Sequence, residues 1–258
     1  RDRGAAGAPV LGAGGLVSVS GAGGASAPAG PGSVPARGTF AFVYVARPAA
    51  VLYDCSLYEA RGKMGAAMAR AYPVDADMVI GVPDTGVPAA VGYARASGIP
   101  FGEGLVKNRY VGRTFISPSQ TLRQQGIRLK LNPLKHALVG KRVIVVDDSI
   151  VRGNTTRKLV ALLREAGATE VHMRITSPPV KWPCFYGIDT DTQEQLIGSA
   201  KTVEEIREHI GADSLHFLSV EGLVASTGRP PHEYCPPCLP RHPPVGTPHA
   251  VRRWRSGS

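Results

Sequence analysis

Val143–Thr156 reads VIVVDDSIVRGNTT, and this one stretch decides both the fold and the chemistry. Arg142 to Val146 is the strongest strand signal in the chain, a run of β-branched apolar residues. Asp147 and Asp148 end that run, so both carboxylates emerge at one edge of a sheet. Two adjacent anions repel, and they become tolerable when they meet hydroxyls or a hydrated cation. Ser149, Arg152, Gly153, Asn154, Thr155 and Thr156 follow, leading into a helix expected over Thr156–Glu165 and closed by Gly167. Gly153 permits a tight turn, the amides at the helix start point at an anion, and the threonine hydroxyls add donors. Carboxylates able to bind a diol beside a phosphate cradle describe a site for a ribose 5-phosphate.

Working outward, the chain alternates strand and helix. Phe40–Val45 is apolar and aromatic and reads as a strand. Leu57–Arg70 reads as a helix, with Leu57, Ala60, Met64, Ala67 and Met68 at helical spacing. Met78–Val82 is a short strand stopped by Pro83, followed by a helix over Val87–Ser97 that Gly98 ends. Val171–Ile175 is the next strand, and residues 201–210, KTVEEIREHI, form a short helix capped at Ser199 or Thr202. This order means parallel strands with crossover helices, an α/β fold with a mostly parallel sheet flanked by helices. Ligands in such sheets bind beyond the carboxyl ends of the strands.

A second loop reaches that same edge. Gly81 and Gly86 bracket Pro83, Asp84 and Thr85, and glycines there let the backbone approach a large anion at a helix start. A third segment, Lys107–Pro133, gathers Lys107, Arg109, Arg113, Arg123, Arg128 and Lys130. Beside a polyphosphate, such cations can neutralise charge on a departing group. Neither GxxxxGK[ST] nor GxGxxG occurs, which removes the Walker and dinucleotide-binding readings.

The VVDDSIVRG loop resembles the phosphoribosyl pyrophosphate (PRPP) motif of type I phosphoribosyltransferases. The chain from Phe40 to Leu239 is similar to the family of glutamine PRPP amidotransferases through VYVARP, LYEAR, VIGVPDTGVPAA, GLVKNRYVGRTFI, LKLNPLK, SPPVKWPCFYGID and GADSLHFLSVEGL. The resemblance implies a type I phosphoribosyltransferase fold and the formation of 5-phosphoribosylamine and pyrophosphate from PRPP and ammonia, the first committed step of purine synthesis. It implies that Asp147 and Asp148 hold the ribose hydroxyls, directly and through Mg²⁺, with Ser149 beside them. Arg152, Gly153, Asn154, Thr155 and Thr156 would hold the 5-phosphate. Pro83, Asp84, Thr85 and Gly86 would contact pyrophosphate. Lys107, Arg109, Tyr110, Arg113 and Gln120 would act from a flexible loop that closes over PRPP. Water competes with ammonia for the ribosyl carbon, so closure would also exclude it. The family takes ammonia from glutamine through an amino-terminal domain whose signature has no match here, so this chain alone is expected to use free ammonia. Purine nucleotides as feedback inhibitors and a homo-oligomeric state are implied as well.

Cys184, Cys235 and Cys238 match three of the four cysteines that hold a four-iron four-sulfur cluster in one branch of the family; the fourth position falls near Gly38, and Cys55 is the only other cysteine. His136, His172, His209 and His216 lack ligand spacing and read as turn or surface residues.

The expected organisation is a low-complexity disordered leader over 1–36, a phosphoribosyltransferase domain over 37–228, and a basic, cysteine-containing, partly disordered tail over 229–258. Ala, Gly, Pro and Ser dominate the leader, which cannot repay its ordering entropy by burial. The formal charge of +10 suits a polyanionic small substrate, and nucleic acid is not the expected partner. Four cysteines are too few for a disulfide scaffold, and no apolar run spans a bilayer, so a cytoplasmic enzyme is expected. Two other readings stay open: a phosphoribosyltransferase that uses a nucleobase, and a non-catalytic PRPP or nucleotide sensor.

Overall fold

Four parallel strands, β1 Met78–Gly81, β2 Arg142–Asp147, β3 Glu170–Ile175 and β4 Ser214–Phe217, lie side by side in the order β4-β3-β2-β1. The computed structural model describes residues 39, 41–107, 131–183, 193–231 and 234, and the backbone alone of 15–18, 25–28, 37–38 and 235. Helices α1 Leu57–Ala71, α2 Val87–Ser97, α3 Asn154–Glu165, α4 Val203–Ile210 and α5 Val220–Thr227 pack around the sheet.

Strand periodicity divides the core into two layers. Val79, Ile144 and Val146 pack with α1, α2 and α5 on one face. The intervening residues Ile80, Val143 and Val145 pack with α3 and α4 on the other. Covering both faces is what an all-parallel sheet requires, and it explains why β2 is apolar without alternation. Burying each such Val, Ile or Leu side chain contributes roughly 1.5–3 kcal/mol before ordering costs.

Helix boundaries follow local chemistry. The Ser56 hydroxyl accepts the Glu59 amide at the start of α1, and Glu59 suits that helix's positive end. Thr202, rather than Ser199, caps α4: its hydroxyl accepts the Glu205 amide while the Glu205 carboxylate accepts the Thr202 amide. Helices α1 and α2 touch backbone to backbone, since a Cβ at Gly65 would lie 1.8 Å from the Ala89 carbonyl oxygen.

One expected strand is a helical turn. Ala41–Val45 forms a π-type turn, with the Ala46 amide donating to the Ala41 carbonyl at 3.3 Å. The reason lies in α1: the buried Arg61 guanidinium donates to the Phe42 carbonyl at 3.0 Å and the Ala46 carbonyl at 2.8 Å. Those carbonyls find their partner in a side chain, and Phe42 and Val43 still reach the core. Strand β4 and helix α5 were not separated out by periodicity, because each is short: four residues and eight.

Outside the sheet, Leu105–Lys107 pairs antiparallel with Leu131–Pro133 and brackets residues 108–130. Arg37–Gly38 pairs in parallel with Tyr234–Cys235, and the buried Tyr234 hydroxyl donates to Thr227 at 2.7 Å. Gly15–Ser18 pairs antiparallel with Ala25–Pro28 inside the stretch expected to lack order. No helix among the described residues is long and apolar enough to cross a membrane.

Candidate active site

Asp147 is the last residue of β2, an interior strand, and Asp148 follows it at the carboxyl edge of the sheet. Neighbouring strands hold this end in place: the Val82 amide donates to the Val146 carbonyl at 2.9 Å, and the Thr176 amide to the Asp147 carbonyl at 3.0 Å. The Asp148 amide donates to the Asp147 carboxylate at 2.8 Å. Asp148, 7% exposed, accepts the Ser149 hydroxyl on one oxygen at 2.8 Å and the Thr85 hydroxyl on the other. Thr85 therefore ties the first loop to the second across 63 residues of sequence.

The two acids are costly neighbours. Burial, and then the charge of Asp148, push the Asp147 carboxyl well above the usual carboxylate range, against the pull of the Asp148 amide. Burial also raises Asp148, offset by the Thr85 and Ser149 hydroxyls and by the Arg61 charge. An environment that penalises both anions is one a bound cation relieves. Two carboxylates with nearby hydroxyls make an all-oxygen donor set, and Mg²⁺ characteristically takes one or two carboxylates plus substrate oxygens. The residues present fit that ion.

The turn after the acids is made at Gly153, whose φ of +76° is the left-handed conformation that favours glycine. A Cβ there would also stand 2.6 Å from the Ile197 side chain. From this turn α3 starts at Asn154, with Asn154 and Thr155 exposed and Thr156 buried. No side chain caps the first turn of this 12-residue helix, and its positive end follows Asp148 by six residues. Arg152 is exposed just before it.

The opposite loop runs Pro83-Asp84-Thr85-Gly86 between β1 and α2, with a cis peptide joining Pro83 to Asp84. Gly86 has no room for a side chain, since a Cβ would lie 2.5 Å from the Val146 carbonyl oxygen at the end of β2. This close approach keeps the two loops side by side. Asp84 pairs with Lys107 at 2.6 Å, both largely exposed. The pair thus brings the last described residue before 108–130 onto the 83–86 loop. Arg109, Tyr110, Arg113 and Gln120 lie outside the described residues.

Of the expected site residues, the structure brings together Pro83–Gly86, Lys107, Asp147–Ser149 and Arg152–Thr156. Three residues escaped the sequence reading. Ile197 and His209 pack against Gly153, with the His209 ring 3.4 Å from the position of an added Cβ. Arg61 bears on Asp148 from α1. No spacing marked them, because all three act through tertiary packing. His172, expected at a turn or surface, is instead buried on β3 between Ser214 at 3.0 Å and Glu170 at 2.9 Å. His216, on β4, stacks on Tyr72 with ring centroids 4.3 Å apart.

The cluster cysteines are a different case. Cys184, Cys238 and the Cys235 side chain lie outside the described residues. The backbone pairing sets Gly38 directly opposite Cys235, so the place where a fourth thiolate is needed carries no side chain. Cys55 is a free thiol on the short Cys55–Ser56 strand beyond the 41–45 turn.

Known proteins share this arrangement. The phosphoribosyl transferase domain model matches residues 60–176, which contain both loops and the acid pair. An amidophosphoribosyltransferase of Synechocystis sp. is 59% identical over 214 residues, covering 83% of this chain and 43% of the relative. The Bacillus subtilis amidophosphoribosyltransferase is 57% identical over 188 residues, covering 73% and 40%. The solved glutamine PRPP amidotransferase of B. subtilis, complexed with ADP and GMP, superposes with a TM-score of 0.79 at 47% identity, covering 90% of this chain and 52% of that one. The chain thus spans less than half the length of these two sequence relatives. It carries a phosphoribosyl transferase domain and is similar, over most of its length, to the corresponding part of amidophosphoribosyltransferases.

Proposed function

We propose that this chain forms 5-phosphoribosylamine and pyrophosphate from PRPP and ammonia, with glutamine supplying the ammonia in longer relatives. The observation that carries the proposal is the Asp147–Asp148 pair, half-buried and buried respectively, tied by Thr85 to the facing loop and followed within five residues by the Gly153 helix start. A diol, a 5-phosphate and a pyrophosphate on one ribose need those three features within one small space.

In this reading Asp147 and Asp148 bind the ribose hydroxyls and would hold Mg²⁺, which when bound supplies charge neutralisation for the pyrophosphate. The amides and hydroxyls of Arg152–Thr156 bind the 5-phosphate, and Ser149 holds Asp148 beside them. The backbone of Pro83–Gly86 approaches the pyrophosphate, and Lys107 leaves Asp84 to meet it. Arg109, Tyr110 and Arg113 complete the closed site, which holds ammonia and excludes water.

The nitrogen lone pair of ammonia forms the new bond to C1 on the face opposite the leaving group. The C1–O bond breaks, its electrons leave with pyrophosphate, and the ammonium product loses its extra proton to solvent. Ammonia is already a competent nucleophile, so the protein's part is positioning and charge stabilisation. Purine nucleotides such as those in the B. subtilis complex are proposed as inhibitors, and a homo-oligomer as the working state.

Calorimetric titration of PRPP with Mg²⁺ into the chain and its Asp147→Asn variant tests the site. We expect binding to the parent and a loss on the order of 100-fold in the variant, a charged bidentate contact being worth about 3 kcal/mol. Equal affinities would remove the acid pair from the site.

A further inference from the structure

Residues 149–153 carry the backbone from the acids to the start of α3. The left-handed turn at Gly153 aims the amides that follow it, so whatever fixes that turn fixes the proposed phosphate site. Gly153 is buried although Arg152, Asn154 and Thr155 around it are exposed. It is covered by a helical turn distant in sequence, Ile197–Ala200. Ile197 grips the loop twice. Its amide donates to the Val151 carbonyl at 2.9 Å. Its Cδ1 stands 2.6 Å from the point where a Gly153 Cβ would lie, so this methyl fills the side-chain space that glycine leaves. The His209 ring borders the same space at 3.4 Å.

The turn that carries Ile197 is itself anchored on both sides of the sheet. Ile197 packs in the core layer of α3 and α4 with Ile206 and Ile210, while the neighbouring Leu196 packs in the opposite layer. A Cβ at Gly198 would lie 2.7 Å from the Val180 carbonyl oxygen, so backbone meets backbone there. The Gln193 side-chain amide donates to the Lys181 carbonyl at 3.3 Å. The Ser199 hydroxyl lies 2.8 Å from both the Gln193 and the Leu196 carbonyls and closes the turn. Adjacent residues buried in two different layers give the Leu196–Ile197 peptide a fixed place, and the Val151 carbonyl is bonded to that fixed point.

We infer that Ile197 is a positioning residue of the phosphoribosyl site, setting the Gly153 turn through its amide and its terminal methyl so that the first amides of α3 converge on a phosphoryl group. The inference rests on the PRPP reading above and adds to it a residue that does not touch substrate. It divides the site into two separately held halves. Gly86 against Val146 and Thr85 on Asp148 hold the 83–86 loop, whereas Ile197 holds the 149–153 loop. A loosened Ile197 is therefore felt by the 5-phosphate and not by pyrophosphate.

The test titrates ribose 5-phosphate, pyrophosphate and PRPP, each with Mg²⁺, into the full chain and into Ile197→Val, which removes only the Cδ1 methyl. So small a deletion leaves the fold intact, and circular dichroism checks it. Ile206→Val removes the same methyl from α4 in the same core layer and is the control. Ile197→Val is expected to weaken ribose 5-phosphate about tenfold, where a misplacement of about 1 Å costs roughly a hundredfold, and to leave pyrophosphate binding unchanged. The KM for PRPP is expected to rise with the loss of ribose 5-phosphate affinity while kcat holds. Ile206→Val is expected to lower the melting temperature comparably and to bind all three ligands like the parent. In Gly153→Ala/Ile197→Val the added methyl takes the vacated space, so the combined loss of ribose 5-phosphate affinity is expected to be smaller than the product of the single losses.

Ile197→Val binding ribose 5-phosphate like the parent, or losing affinity for pyrophosphate equally, overturns the inference. Single losses that simply multiply in the double variant overturn it too. So does an Ile206→Val as weak for ribose 5-phosphate as Ile197→Val, since the effect would then belong to the core at large. A parent that binds neither PRPP nor ribose 5-phosphate overturns the site reading itself and this inference with it. A parent that binds both, beside an unaltered Ile197→Val, overturns only the inference.

Discussion

Replacing Gly153 by alanine separates the geometry of the phosphate cradle from the stability of the fold. At φ +76°, an L-residue costs about 1–2 kcal/mol relative to glycine. The new Cβ would meet the Ile197 Cδ1 at 2.6 Å, but that atom is the end of a flexible side chain and can turn away. The strain alone should therefore lower the melting temperature by roughly 2–8 °C, a loss that a domain stable by about 5–15 kcal/mol survives. Binding should suffer more than stability, because relief of the strain re-aims the amides that begin α3. Gly211→Ala is the matched control: φ is +75°, nothing lies within 4 Å of an added Cβ, and the residue caps α4 at its carboxyl end. Differential scanning fluorimetry and PRPP titration on both variants form the assay. Similar melting losses are expected, with PRPP affinity reduced on the order of tenfold or more only in Gly153→Ala, as for a site lacking one charge-assisted contact. Equal affinity in the two variants would refute the cradle.

Further expectations concern the acids, the loop cation and the cysteines. Both acids have pKa values raised by burial, so the stability they permit is fully present below the ordinary carboxyl value of about 3.9 and is lost as pH rises through their folded values. Asp147→Asn should therefore melt above the parent near neutral pH without Mg²⁺, with the gap closing at about pH 4; a gap that is constant with pH would contradict the burial argument. Lys107→Ala breaks an ion pair whose partners are more than half exposed, so melting should stay unchanged while kcat for pyrophosphate release falls. Iron and sulfide assays on anaerobically purified protein should find far less than four of each per chain, since Gly38 faces Cys235; a full complement would show a ligand supplied from elsewhere.

Much of this was legible because the decisive chemistry is local. The apolar run from Arg142, the abrupt Asp147-Asp148 pair and the Arg152-Gly153 turn declare strand, edge and helix start within 15 residues. Helices α1 and α2 announced themselves by spacing and by the terminal Gly98. What stayed hidden was set by contacts distant in sequence. Ala41–Val45 has the composition of a strand, but the Phe42 carbonyl and that of Ala46 just after it are claimed by Arg61, up to 19 residues away. Thr85 reads as a loop hydroxyl until the sheet brings it to Asp148. His209 reads as a turn or surface residue, and only the packing of α4 shows that it lies against Gly153.

Pyrophosphate release from PRPP with Mg²⁺, compared with ammonium, with glutamine and with no nitrogen donor, tests the central claim most directly. The account predicts release with ammonium by this chain alone, abolished in Asp147→Asn. Folded chain that binds PRPP yet releases no pyrophosphate with ammonium would contradict it.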